Sequence, residues 1–132
     1  MKDYKELDVW QSARKLVVAV YKFTSGFPKE EVYGLTSQIR RCAVSIPSNI
    51  AEGVGRNFAK ETIQFLHISR GSIYELETQL IIAKDLGYLD DEKLNKLNEL
   101  LTKTRMLLNG FISYYNNMLN SQKPGQRATG NG

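Results

Sequence analysis

Apolar residues recur at alternating steps of three and four through most of this chain, and that spacing constrains its fold more than any other feature. Such a series places its members on one face of an α-helix, which can then be buried against other helices. A seam of this kind predicts one long helix that follows Asp90. Its members are Leu94, Leu97, Leu101, Thr104, Leu108, Phe111, Tyr115 and Met118.

Three shorter series predict three more helices. The first helix covers residues 7–25 and ends before Pro28, because proline cannot continue a helix. The second begins near Glu30, and the third begins at Asn57 as a capping residue and ends at Gly87. The apolar faces are Val9, Ala13, Leu16, Val20 and Phe23; Val32, Leu35, Ile39, Cys42 and Ile46; and Leu66, Ser69, Ile73, Leu76, Leu80 and Ala83.

Pro47 lies inside the apolar series of the second helix, where its missing N–H predicts either a bend or a restart. Ile46 and Ile50 keep helical spacing across the proline, which favours a bent, continuous helix. In the alternative, Asn49 and Glu52 form a capping box for a new helix. As structural residues, Asn49 and Glu52 cap this restart or pair with Arg40, Arg41 or Arg56. Contact with a ligand is the functional alternative, and the structural role at the turn is the favoured one.

Glycines predict two local features. Gly53 and Gly55 are expected to end the second helix. Gly71 lies inside the third helix, where glycine is unfavourable, so Gly71 and Ser72 are predicted to let another backbone come close.

The four helices predict an all-α fold, an antiparallel up-down-up-down four-helix bundle over residues 1–120. The polar, glycine-rich segment 121–132 is predicted to be disordered. No apolar run approaches the length of about 18 residues that spans a bilayer, and the first ten residues lack the apolar core of a secretory signal. The chain has one cysteine and therefore no intrachain disulfide, which is typical of the cytoplasm. We expect a cytoplasmic protein with no membrane partner.

Converging catalytic or metal-binding groups are scarce. His67 is the only histidine, so neither a di-metal carboxylate site nor a complete zinc site can be assembled. The glycines at 53 and 55 lack the Gly-Lys-Ser/Thr that completes a phosphate-binding loop. A triad of Ser45, His67 and Glu52 is a combination that arises by chance in most chains. We predict a protein that is not an enzyme and has no metal or cofactor.

The basic residues are the best functional candidates. Residues 1–60 hold ten basic and six acidic side chains, whereas residues 61–120 hold six and eight. Guanidinium groups suit phosphate oxygens, and a row of them would follow a nucleic-acid backbone. The alternatives are a solvated charged face and ion pairs across a subunit contact. The candidate residues are Arg40, Arg41, Arg56, Lys60 and Arg70.

Four segments of this chain resemble the four-helix-bundle family named after the intervening sequence of 23S ribosomal RNA. The segments are YKELDVWQSARKL, FPKEEVYGLTSQIRRCAVSIPSNIAEGVGR, FLHISRGSIYELETQL and LGYL. The family name reflects where some members are encoded and does not imply a ribosomal function. The resemblance implies an up-down four-helix fold and a homopentameric ring.

The chain is also similar to the accessory variability determinant of diversity-generating retroelements, a basic pentameric barrel that binds nucleic acid and partners a reverse transcriptase. This resemblance implies phosphate contacts at the five candidate basic residues. The formal net charge of +4 is a departure from a strongly basic barrel. Exposed aromatic residues suit subunit contacts, and the candidates are Tyr21, Phe58, Tyr74 and Tyr114.

Two functional hypotheses remain open on this basis. In the first, a non-enzymatic ring of bundles binds RNA or DNA backbone without reading its sequence. In the second, the ring is a structural or adaptor module for a protein partner, and its arginines hold the subunits together.

Overall fold

The computed structural model describes residues 3–121, and within them the only regular structure is helical. The four α-helices are α1 (Asp8–Thr24), α2 (Leu35–Val54), α3 (Ala59–Asp85) and α4 (Asp91–Ser121). Short 3₁₀ turns at Tyr4–Glu6 and Lys29–Glu31 precede α1 and α2. The predicted all-α fold is confirmed. The predicted tail lies outside the described residues, except for Ser121, which is the last residue of α4.

Each helix packs against its neighbours in the chain, and α1 also packs against α4, which closes the bundle. Side-chain contacts show that neighbours run in opposite directions. Lys84 near the end of α3 pairs with Asp91 at the start of α4, and Arg70 earlier in α3 reaches Asn109 later in α4. The predicted up-down topology is therefore confirmed. None of the helices between residues 3 and 121 has the length and hydropathy needed to cross a bilayer.

The core consists of the apolar faces predicted from the sequence, with two adjustments. Val32 is exposed and precedes α2, so it takes no part in the core. Near the end of α4 the fully buried position is Ile112, while Phe111 is half-buried and packs edge-on against Tyr115. Ser12 and Thr104 add a buried hydrogen bond of 2.7 Å between α1 and α4.

The second helix starts later than predicted, at Leu35 rather than near Glu30. The reason is that Glu31 serves as a cap from outside the helix. Its carboxylate accepts a hydrogen bond from the backbone N–H of Leu35 at 3.1 Å and another from the hydroxyl of Tyr88 at 2.8 Å. These two bonds lower the pKa of Glu31.

Pro47 lies inside one continuous helix, as the favoured interpretation predicted. The capping-box alternative is wrong because Asn49 and Glu52 are helical and bond elsewhere. The Asn49 amide donates to the carbonyl of Ser45 at 2.8 Å, and Glu52 pairs with Arg56 at 3.1 Å. Neither residue occupies a turn, and their structural role lies within the helix.

The two ends of α3 compare differently with the prediction. At its start, the cap position is Phe58 rather than Asn57, because the carbonyl of Phe58 accepts the first helical N–H groups, from Glu61 and Thr62. At its end, Gly87 adopts a φ of 83° and allows Tyr88 N–H to reach the carbonyl of Ala83, as predicted.

Gly53, inside the last turn of α2, lies close against α3. A Cβ atom added there would lie 2.8 Å from the Cβ of Phe65 and 3.2 Å from the carbonyl of Thr62. Gly71 has open space around it within the chain, so the prediction that another backbone approaches it is not met. The adjacent residue, Ser72, is the one that contacts α2.

Substitution of these two glycines is expected to have opposite effects on stability. Gly53→Ala should lower the free energy of unfolding by about 1–3 kcal/mol, because its neighbours belong to a packed helix pair. Gly71→Ala should raise it by up to about 1 kcal/mol, because alanine is the better helix former at an open position. Urea denaturation measures both, with Gly110→Ala as a control at an open position in α4. Equal effects at 53 and 71 would contradict the packing described.

Candidate functional site

Arg40 connects α2 to the end of α1 rather than facing open solvent. Its guanidinium donates to the hydroxyl of Thr24 at 2.9 Å and to the carbonyl of Tyr21 at 3.3 Å. It also lies 4.5 Å from the centre of the Tyr21 ring, a cation–π distance. All of these partners are neutral, so the contacts orient the positive charge without neutralising it.

Arg70 is held in a similar way on another side of the bundle, between α3 and α4. Its guanidinium donates to the side-chain oxygen of Asn109 at 3.2 Å and lies 2.9 Å from Nδ1 of His67. The single histidine of the chain therefore contacts an arginine on an exposed helix face.

Arg56 is the one candidate cation that forms an ion pair. It lies 3.1 Å from the carboxylate of Glu52, one helical turn earlier, and 4.6 Å from the centre of the Phe65 ring. Its charge is compensated, and its contacts connect the end of α2 to the first turns of α3.

Arg41 and Lys60 are exposed, and neither has a hydrogen-bonded side-chain partner or a carboxylate within 4.0 Å among residues 3–121. Four of the five candidates, these two together with Arg40 and Arg70, therefore carry an uncompensated charge. The five do not form one row, because Arg40 lies against α1 and Arg70 lies against α4.

A polar groove of about 480 Å³ lies between α2 and α3 and was not anticipated from the sequence. The α2 residues that line it are one helical turn apart, and so are those of α3. From α2 these are Gln38, Arg41, Ser45 and Asn49, with Cys42 beneath them; from α3 they are Ile68, Ser72, Glu75 and Gln79. Two polar series at helical spacing are the signal that could have revealed the groove.

Hydrogen bonds at the centre of the groove set the register of the two helices. The hydroxyl oxygens of Ser45 and Ser72 lie 2.7 Å apart, and the thiol of Cys42 donates to the carbonyl of Ser72 at 3.1 Å. Because the helices are antiparallel, Arg41 and Glu75 face each other across the groove, one helical turn from the Ser45–Ser72 contact. Their charged groups do not come within 4.0 Å of each other.

The groups commonly used in catalysis do not converge. The three residues of the chance triad named from the sequence each have a different partner. Ser45 bonds to Ser72, His67 lies next to Arg70, and Glu52 pairs with Arg56. Across residues 3–121, no three His, Cys, Asp or Glu side chains are grouped so as to hold a metal ion.

Large apolar side chains are exposed along α3 and at Leu86 directly after it, and we call this set the outer α3 stripe. The set winds around the helix, because Tyr74 and Ile81 lie roughly 120–140° from Ile68 at about 100° per residue. Its members are Ile68, Tyr74, Ile81, Ile82 and Leu86. An apolar groove of about 310 Å³ lies between α1 and α2, where Trp10, Val18 and Val44 are among the lining residues. Exposed apolar surface of this kind is typical of contacts with another protein chain.

Cys42 lies beneath the polar groove and is almost fully buried. Burial and the nearby carboxylate of Glu75 raise the pKa of its thiol from 9.0 to about 12. At a pH of about 8 the thiolate fraction should therefore be about a thousandfold lower than in the unfolded chain. We expect a disulfide reagent such as DTNB to react at least about tenfold more slowly with the native protein than with the denatured protein, because the lower thiolate fraction outweighs the higher nucleophilicity of that thiolate and burial restricts access. A native rate close to the denatured one would contradict this environment.

Comparison with known proteins places the chain in a family. Residues 5–110 match the profile of the 23S rRNA-intervening sequence protein family. A crystal structure of a protein of unknown function, from the S23 ribosomal protein family of Bacteroides thetaiotaomicron, is similar in fold. The two share 22% sequence identity with a TM-score of 0.73, over 80% of this chain and 95% of the other. No curated protein matches. The chain belongs to the family of 23S rRNA-intervening sequence proteins.

Proposed function

We propose that this protein is a non-enzymatic helical bundle that binds nucleic-acid backbone, RNA or DNA, through its uncompensated cations. The observation that carries the proposal is the state of Arg40, Arg41, Lys60 and Arg70. None has a carboxylate within 4.0 Å in the part of the chain described. Phosphate oxygens are the natural counter-charge for such groups.

The manner in which the arginines are held supports this function. Arg40 and Arg70 bond only to hydroxyl, carbonyl, amide and imidazole groups. Such partners hold a guanidinium in place, so binding costs less side-chain freedom, and they leave its charge available to a phosphate. Contacts of this type carry no sequence information.

Repetition in an oligomer would strengthen weak phosphate contacts. One copy offers four uncompensated candidates on different sides, which is few for tight binding. We propose the homopentameric ring implied by the family resemblance, since five copies would bring the same cations to one ligand several times. The outer α3 stripe and the apolar groove between α1 and α2 are two different surfaces, as a ring of head-to-tail contacts requires.

The second candidate function is a structural or adaptor module that binds a protein partner. The exposed apolar side chains of the outer α3 stripe favour it, because a surface of this composition suits a protein rather than a phosphate backbone. In this function the arginines would serve subunit contacts.

Removal of the two cations without side-chain partners should weaken nucleic-acid binding in a salt-dependent way. We expect the double variant Arg41→Gln and Lys60→Gln to bind a labelled single-stranded RNA of about 20 nucleotides less tightly. Its plot of log affinity against log salt should be shallower by about 0.7 for each phosphate that the variant no longer neutralises. Fluorescence anisotropy from about 50 to about 300 mM salt measures both quantities.

The control is the double variant Lys84→Gln and Lys96→Gln. Both lysines lie next to acids, at 3.0 Å from Asp91 and 3.4 Å from Glu92, and neither is a candidate. The control should keep most of the salt slope. Binding that is absent, or that is insensitive to salt in the wild-type protein, would overturn the proposed function and leave the adaptor function.

The ring makes a separate prediction about the outer α3 stripe. The wild-type protein should sediment as a species of about five chains, and Ile81→Glu should dissociate it, because a buried carboxylate without a partner is costly. Val32→Glu, at an exposed apolar residue outside the stripe, is the control and should leave the assembly intact. A wild-type monomer would contradict the ring.

A further inference from the structure

The polar groove between α2 and α3 has hydrogen-bonding capacity that the chain itself does not use. Within residues 3–121, no hydrogen bond involves the side chains of Gln38, Arg41 or Gln79, and Oε1 of Gln79 is buried without a donor. Buried polar atoms are normally paired, and Gln79 is the one groove residue among the three with such an unpaired oxygen in residues 3–121. The unused groups that reach the groove surface are those of the exposed Gln38 and Arg41.

Facing residues across the groove have complementary chemistry. The Ser45–Ser72 contact fixes the register, and one turn away the guanidinium of Arg41 faces the carboxylate of Glu75 without an ion pair. The groove therefore offers a positive donor on its α2 side and a negative acceptor on its α3 side. Gln38 and Gln79 lie one further turn along and can both donate and accept.

Dimensions restrict what can enter. From Gln38 to Asn49 the α2 side measures about 16 Å at 1.5 Å per residue, and the volume of about 480 Å³ is that of a small ligand rather than of a duplex. Ile68, exposed to 54% of its surface, adds one apolar surface at the end near Asn49.

A polypeptide segment is a poor match for this groove. Peptide-binding grooves depend on apolar pockets that bury anchoring side chains. Here only Ile68 and the buried Cys42 are apolar residues, and the remaining apolar surface is the aliphatic part of polar side chains, which forms no anchoring pocket. Phosphate alone is also a poor match, because it brings acceptors for Arg41 but no base-type donor for Glu75, whose carboxylate would stay unpartnered.

A nucleotide carries the two kinds of group that complement those of the groove. Its phosphate is an acceptor for the arginine, and its base edge carries donors for carboxylate and carboxamide groups. Cytosine, adenine and guanine each carry an exocyclic amino group that donates to a carboxylate. In cytosine and adenine this group lies beside a ring nitrogen that accepts, and the carboxamide of Gln38 or Gln79 is a donor for it. Uracil presents its single N–H between two carbonyl oxygens, which a carboxylate repels.

We propose that this groove binds one nucleotide of a single strand, with its phosphate at Arg41 and the amino group of its base at Glu75. Gln38 and Gln79 complete the contacts to the base edge, and Ile68 contacts an apolar face of the neighbouring sugar or base. The inference rests on the proposed nucleic-acid function and goes beyond it, because backbone contacts alone do not distinguish bases.

The test compares three labelled RNA octamers, of cytidine, adenosine and uridine, by fluorescence anisotropy at low salt and neutral pH. We expect the cytidine and adenosine octamers to bind at least about fivefold more tightly than the uridine octamer. Glu75→Gln should reduce this ratio to near one. Binding of the uridine octamer should hold or improve, since a repelling charge is removed.

A matched control is available on the same helix. Glu77→Gln removes an acid that lies 3.6 Å from Arg105 and does not line the groove, so the ratio between octamers should stay as in the wild-type protein. Gln38→Ala is a second groove variant at an exposed position, where folding is not at stake, and it should also lower the ratio.

The outcomes separate the two proposals. If no octamer binds, the proposed nucleic-acid function fails and this inference fails with it. If all three bind equally and Glu75→Gln changes nothing, backbone binding stands and the groove inference is overturned. If Glu75→Gln and Gln38→Ala alter sedimentation but not base preference, the groove is a contact between copies, and the inference is likewise overturned.

Discussion

The close approach of α2 and α3 is the constraint on which the rest of this structure depends. It is made by small groups that bond across the helix pair: the hydroxyl of Ser69 donates to the carbonyl of Ile46 at 2.9 Å, and that of Thr62 donates to the carbonyl of Gly53 at 2.8 Å. The first of these bonds lies beside Pro47, whose ring already disturbs the helix ladder. The helix that contains Pro47 is thus tied to its neighbour from Cys42 to Gly53, which sets the register of the side chains above this seam.

Because the seam consists of hydroxyl, thiol and carbonyl groups, it offers no opposite charge to the residues above it, and neither Arg41 nor Glu75 forms an ion pair within residues 3–121. Arg41 and Glu75 face each other over Ser45 and Ser72, at a separation that the backbone geometry sets and the side chains do not close. At the outer edges of the bundle, Arg40 and Arg70 reach neutral groups on α1 and α4. The resulting positive charge is spread over several sides of one copy, which makes repeated copies more effective than a single one.

Helical periodicity was sufficient to predict the four helices and most of the core, because both depend on residues three or four apart. The up-down topology followed from the short turns that join the helices. The sequence also predicted the end of α3, where Gly87 acts locally. It did not predict the late start of α2, because the cap at Glu31 is completed by Tyr88, 57 residues away. The candidate cations could be found from residue type alone. Their partners and the groove could not be predicted, because both depend on the register between helices. That register is determined by the hydroxyl contacts, which form only in the folded chain.

Ile68 connects the two surfaces that the proposals treat separately, since it lines the polar groove and also belongs to the outer α3 stripe. A second copy that covered Ile68 would therefore border the groove and act as a third wall for it. An open groove binds a nucleotide weakly, because much of the ligand stays in water, whereas a third wall would exclude water and strengthen the contacts of Arg41 and Glu75. Assembly and base preference would then be coupled through one side chain, and each would favour the other by the same free energy.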